Sequence, residues 1–161
     1  MRTIDVIDAK ILTIIQNSGR TSNAEIARQV EMAPSAVLER IRKLERDGIV
    51  EGYEAVLNPK SVGRGLTAFT SVHCEETAGS VAVGKDLARI PEVLEVHYTA
   101  GQDSYLVKVR VADTEDLQRT LAKFGSIPGV RDTRTTIVLT TLKESRQLPL
   151  DLEPVQSEGR G

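Results

Sequence analysis

Arg40, Arg42, Lys43 and Arg46 crowd the end of a segment that opens on Ser35 and Ala36 and carries Glu39 between them. Side chains of these types can read a nucleic acid. A guanidinium forks onto the acceptor pair of guanine, and a carboxylate accepts from the amino group of cytosine. Small residues early and basic residues late suit a helix whose start approaches base edges and whose end lies over phosphates. Ser22 and Asn23, at the start of the preceding segment, join them as candidate DNA contacts. The competing reading is an ordinary solvated helix face, with Glu39 and Lys43 paired at i, i+4.

A second constellation is Gly101-Gln102-Asp103-Ser104-Tyr105, between two strand-like runs. Exposed backbone amides near a glycine can hold a carboxylate, and Asp103 can hold an ammonium group. That pairing suits a zwitterionic amino acid. Thr135 and Thr136 are further candidates on a later strand. Taken as residues alone, the loop reads sooner as a plain hairpin turn, with Gly, Asp and Ser present for backbone reasons.

Other chemistry finds little support. His73 and Cys74 are adjacent on a strand, so they point to opposite faces and cannot readily share an ion. With His97 they show no zinc-ligand spacing, and no metal site is expected. No nucleophile elbow, phosphate-cradling glycine loop or HExxH is present. No catalytic residue and no cofactor are therefore expected.

The elements that must position these groups follow from periodicity. Residues 4–17 form an amphipathic helix with Asp5 as N-cap and Ile7, Ile11 and Ile14 on one stripe. Ser22 and Glu25 write a capping box before Ile26, Ala27 and Val30. Glu31-Met32-Ala33 break the pattern. Pro34 suits the first turn of a third helix that stops at Gly48. Val37, Ile41 and Leu44 are its buried stripe, which leaves the basic residues outside. Two helices joined by a tight turn can set the second into the major groove.

Ile49-Val50 and residues 53–57 read as a short strand around Gly52, and the linker falls at about 50–65. Beyond it the period changes to two. Strands are expected at 66–74, 93–100, 105–111 and 131–142. Helices are expected at 80–90, where Gly84 weakens the pattern, and after Asp113. This β-α-β-β-α-β order is the ferredoxin-like arrangement. Several strands are apolar on both faces, which calls for a second copy over the open face.

The fold class is thus α+β. A (winged) helix-turn-helix domain spans 1–50, a strand and linker 51–65, a ferredoxin-like domain 66–142, and a flexible tail 143–161. The chain has 161 residues, 40% hydrophobic, with 3% aromatic and no tryptophan, so its cores must be aliphatic. Its net charge of −2 supplies no global field toward nucleic acid, so any DNA affinity must be local or repeated. A single cysteine excludes an internal disulfide and fits a reducing cytoplasm. No apolar run reaches the roughly 18 residues of a membrane span, and no membrane partner is expected.

IDAKIL (7–12), SNAEIARQV (22–30), RIRKLERDGIVEGY (40–53), PEVLEVHYTAGQDSY (91–105) and IPGVRDTRTTIVL (127–139) together resemble the Lrp/AsnC family, the leucine-responsive and asparagine regulators. The resemblance runs from about residue 4 to 143. It implies a prokaryotic transcriptional regulator that binds double-stranded DNA and whose C-terminal domain binds a small effector, usually an amino acid. It also implies dimers that often assemble into octamers, a source of avidity that answers the missing net charge. The chain departs from the family at Glu31, where glycine is usual, and at Ala33, where a serine N-cap is common. It departs again at Glu39, where a basic residue is frequent, and at Ser104, where an aspartate often precedes the tyrosine. The alternative is a small-molecule-sensing assembly module that acts through a protein partner rather than DNA.

Overall fold

The computed structural model describes residues 4–150 except Ala78. Three helices come first: α1 (Val6–Asn17), α2 (Asn23–Val30) and α3 (Pro34–Arg46). Then follow β1 (Leu66–Cys74), α4 (Ala82–Leu87), β2 (Val93–Tyr98), β3 (Tyr105–Val111), α5 (Thr114–Gly125) and β4 (Val130–Ile137). The described residues divide into two compact units, one of residues 56–143 and one holding both residues 4–55 and 144–150.

In the first unit the helices fall where the sequence places them, except that α1 starts at Val6 rather than residue 4 and α3 ends at Arg46, two residues before Gly48. The Asp5 carboxylate caps α1 by accepting from the Asp8 N–H at 2.7 Å, and the Ser22 hydroxyl caps α2 through Glu25 N–H at 3.2 Å. Only half of the capping box forms. The Glu25 carboxylate turns forward to Gln29 (2.8 Å) and Arg28 instead of back to Ser22, because those longer donors lie one turn on along the same face. Ile11, Ile26, Ala27, Val37 and Ile41 close a common core, with Ile7, Ile14, Ile15, Val30 and Met32 packed on it. Full burial of one such aliphatic side chain stabilises by about 1.5–3 kcal/mol, which is what holds α3 in place.

The turn between α2 and α3 is strained. Glu31 is the left-handed C-cap of α2, at φ 56° and ψ 47°, and it is the one non-glycine residue with positive φ among those described. An L-residue there costs about 1–2 kcal/mol. Ala33 precedes α3 without a side-chain cap. Glu31→Gly should therefore raise stability by up to about 1 kcal/mol, part of the relieved strain being offset by the freer unfolded glycine. Urea unfolding would read this as a higher midpoint at unchanged slope. A lower midpoint would mean that the Glu31 side chain contributes more than its backbone costs.

The strand expected around Gly52 is absent: residues 51–58 carry no helix or strand, and none of the sheet pairings among the described residues includes them. Tyr53 instead folds back onto the helices. Its ring covers Gly19, where a Cβ would sit 3.0 Å from Cδ1, and its hydroxyl donates to Glu45 at 3.1 Å. Nor are residues 144–150 a loose tail. The Gln16 side-chain amide pairs with the backbone of Leu148 in both directions, at 2.7 and 3.2 Å, and the Gln147 amide donates to the Gln16 carbonyl at 3.1 Å. The last of these bonds occupies a carbonyl at the C-terminal end of α1 that the helix cannot satisfy itself. Residues 151–161, also assigned to the tail, lie outside the described residues.

In the second unit four antiparallel strands lie in the order β2-β3-β1-β4. Tyr105, Val107, Val109 and Val111 alternate inward from β3 and meet Ala68, Val72 and Cys74 of β1 under α4 and α5. Val83 and Leu87 of α4 and Leu117 and Phe124 of α5 complete this core. On the opposite face Phe69 and Leu106 stay 38% and 37% exposed. Three elements are shorter than expected: α4 spans only Ala82–Leu87, β2 ends at Tyr98, and β4 ends at Ile137, where its pairing with β1 runs out at Ala68.

Gly84 has a different reason from the weakness its helix propensity suggests. A Cβ there would lie 2.5 Å from Cε1 of Tyr105, whose ring is only 1% exposed. Glycine lets α4 come down onto that ring.

Candidate nucleic-acid interface and effector loop

The outer face of α3 presents what the sequence assigned to it, with one exception. At about 100° per residue, Ser35, Glu39, Arg42, Lys43 and Arg46 fall on one arc opposite Val37, Ile41 and Leu44. All five are exposed, and Ala36 is half-buried on their flank. Arg42 donates to Glu39 at 3.2 Å, an exposed i, i+3 pair. Such pairs are worth at most about 1 kcal/mol, so the guanidinium is readily released to a stronger anion. Ser22 is exposed at the start of α2, and Asn23 is half-buried beside it.

Arg40 is the exception. Its Nη1 donates to Asp5 Oδ2 at 2.6 Å and to Asp8 Oδ1 at 2.7 Å. Burial works against ionisation of Asp5, but the Asp8 N–H and the Arg40 guanidinium outweigh it and hold the carboxyl below its usual range. Donating to the two aspartates raises Arg40 in turn. Arg40 is therefore held at the start of α1, where it ties α3 to its neighbour, and stands apart from the arc that the other five share.

The loop after β2 is built from short backbone bonds. The Thr99 N–H donates to the Ser104 carbonyl at 2.9 Å, the Thr99 hydroxyl to the Asp103 carbonyl at 2.6 Å, and the Ser104 N–H to Val72 of β1 at 2.9 Å. Gly101 and Gln102 are exposed, and a Cβ on Gly101 would meet nothing within 4 Å. The Gln102 carbonyl faces His73 Nδ1 at 3.2 Å. The Asp103 carboxylate is ion-paired with Arg134 of β4, a residue the sequence reading missed. Its signal was available: Arg134 lies two residues from Thr136 and so shares its face.

Two candidates leave the group. Tyr105 points inward, under α4, and cannot meet a ligand held by Asp103. Thr135 lies opposite Thr70, bonded to its hydroxyl at 3.0 Å on the helix-covered face, whereas Thr136 lies opposite Phe69 on the open one. Neighbours on a strand point to opposite faces, so only Thr136 keeps company with Arg134. What remains together is Asp103, Arg134, His73 and the backbone of the exposed Gly101 and Gln102.

Comparison with known proteins gives these two constellations a common setting. Residues 4–51 match the winged helix-turn-helix DNA-binding family, and residues 67–148 match the Lrp/AsnC ligand binding domain. The chain is 40% identical over 148 residues to the HTH-type transcriptional regulator FL11 of Pyrococcus horikoshii, covering 91% of this chain and 97% of that one. It is 36% identical over 150 residues to the leucine-responsive regulatory protein of Escherichia coli K12, covering 91% and 92%. A transcriptional regulator of Neisseria meningitidis, solved as its L-Met complex, superposes with a TM-score of 0.85 at 34% identity over 92% of this chain and 98% of that one. With both domains matched in order and most of each relative's length covered, this chain belongs to the Lrp/AsnC family of transcriptional regulators.

Proposed function

We propose that this regulator reads duplex DNA with Ser35, Ala36, Glu39, Arg42, Lys43 and Arg46 of α3, and senses an amino acid at the loop around Gly101–Ser104. The observation that carries the first half is the exposed polar arc of α3, set opposite its fully buried stripe. The second half is supported by Asp103 and Arg134. Their opposite charges match those of a zwitterion, so an amino acid can replace the pair, with its ammonium group on Asp103 and its carboxylate on Arg134 or the loop amides. The L-Met bound by the Neisseria regulator supports a ligand of this class.

A second copy is expected over the open sheet face, where Phe69 and Leu106 are half-exposed, and dimers are expected to assemble further. Two reading helices would then address half-sites roughly 34 Å apart or a multiple of it. The role is regulatory rather than enzymatic and is exercised in the cytoplasm; no helix among the described residues is long and apolar enough to cross a membrane.

The effector half is tested by thermal shift with a panel of amino acids that includes L-methionine and L-leucine, since a ligand of the folded state raises its melting temperature. Asp103→Ala should abolish the shift and the ligand's effect on assembly, while effector-free DNA binding stays within about threefold. A ligand whose binding survives both Asp103→Ala and Arg134→Ala would place the sensor elsewhere.

A further inference from the structure

Glu76 lies in the 75–81 connection between β1 and α4, and its carboxylate gathers three parts of the domain. Oε1 accepts from the Ser80 hydroxyl at 2.9 Å and from the Val83 N–H at 3.0 Å. Oε2 accepts from the Tyr105 hydroxyl at 2.7 Å and from the Cys74 thiol at 3.5 Å. Val81, the residue before α4, supplies no side-chain cap; the Ser80 hydroxyl accepts from the Ala82 N–H at 3.3 Å and Glu76 from the Val83 N–H, so the two together serve the first turn.

Tyr105 reaches this carboxylate by passing its ring over Gly84 and against Tyr98, the two ring centres 5.4 Å apart. It follows Ser104 directly. The Ser104 N–H is held by Val72, and its hydroxyl lies 3.4 Å from the Cys74 carbonyl. The C-terminal end of the 101–104 loop is thus anchored twice, to β1 by its backbone and to Glu76 through the next side chain. Burial raises the Glu76 carboxyl, but bonds from Val83, Tyr105, Ser80 and Cys74 hold it down to about 2, while burial and Glu76 push Tyr105 up to about 12. Carboxylate and phenol therefore keep an ionised acceptor and a protonated donor across the neutral range, the stronger kind of hydrogen bond.

We infer that Glu76 is a positioning residue for effector recognition: through Tyr105 it fixes the 101–104 loop against the 75–81 connection and the start of α4. A loop that joined these elements only by backbone would have to be ordered by the ligand, at a cost in affinity. The inference deepens the proposed reading and rests on it for the ligand, but the positioning itself can be measured without one.

The experiment is hydrogen exchange on the full chain, wild type against Tyr105→Phe and Glu76→Gln. Tyr105→Phe removes one oxygen from a ring that otherwise keeps its packing. Exchange in residues 99–104 should quicken by roughly tenfold or more, the scale of a lost bond to a charged group, with α1–α3 unchanged. Glu76→Gln should quicken it in the same direction to a smaller degree, because one amide oxygen cannot accept from both the Val83 N–H and the phenol as the two carboxylate oxygens do, and the charge is lost. Unchanged exchange in 99–104 in both variants overturns the inference and reduces Glu76 to a cap for α4. A uniform rise across all strands overturns it too, since that is loss of global stability. An L-methionine titration of wild type, Tyr105→Phe and Asp103→Ala then separates the two readings. Weaker binding in both variants supports both. An undiminished Asp103→Ala overturns the effector site but leaves the exchange result to decide the positioning.

Discussion

Replacing Arg42 and Lys43 together by alanine should weaken duplex binding by on the order of 1–3 kcal/mol for each contact that reads a base. Each of the two that meets a phosphate should instead reduce the salt slope by about 1. The expectation follows from their exposure on the arc opposite Val37, Ile41 and Leu44, and from the weakness of the Arg42–Glu39 pair. Arg40→Ala is the informative companion. Because Arg40 is spent on Asp5 and Asp8, its loss should weaken binding by loosening α3 while the salt slope stays that of the wild type. Fluorescence titration across salt concentrations distinguishes these outcomes. A double variant with wild-type affinity and slope would remove α3 as the reader, and a reduced slope in Arg40→Ala would return that residue to the DNA.

Gly84→Ala should destabilise the ligand-binding domain by about 1–3 kcal/mol, although alanine is the better helix former by about 1 kcal/mol. The new Cβ would lie 2.5 Å from Cε1 of Tyr105 and 3.0 Å from its Cζ, and that residue is only 1% exposed and hydrogen-bonded to Glu76. Packing therefore outweighs propensity. Gly84→Val should cost more. In a double-mutant cycle with Tyr105→Leu the cost should shrink, because the clashing atoms leave with the ring. Denaturant unfolding followed in the sheet domain reads both. A neutral or stabilising Gly84→Ala would show that α4 can move off the sheet, and that Gly84 is not what sets their approach.

The helix-turn-helix was legible because its determinants are local. Ser22, the Pro34 start, Gly48 and the Val37-Ile41-Leu44 stripe act within one or two turns, and the structure places each as its type requires. The strained turn was legible as well, since Glu31 stands where a left-handed backbone is needed. The alternation of β3 put Tyr105 on the same face as three buried valines, so the ring's burial could have been read from parity. Parity also separates Thr135 from Thr136, and grouping them as one site ran against it.

Local sequence determined which residues form each helix, where each strand turns its apolar side, and which cations face away from the core. Those properties follow from backbone geometry and side-chain period, which do not depend on distant partners. Tertiary structure alone decided that Arg40 belongs to Asp5 and Asp8, that Asp103 meets Arg134, and that Glu76 holds Tyr105 past Gly84. It also decided that residues 51–58 form no strand and that Leu148 docks on Gln16. Each of these is a pairing between groups far apart in the chain. Charge and hydrogen-bonding capacity name many acceptable partners, and only the packing of the elements brings one of them within bonding distance.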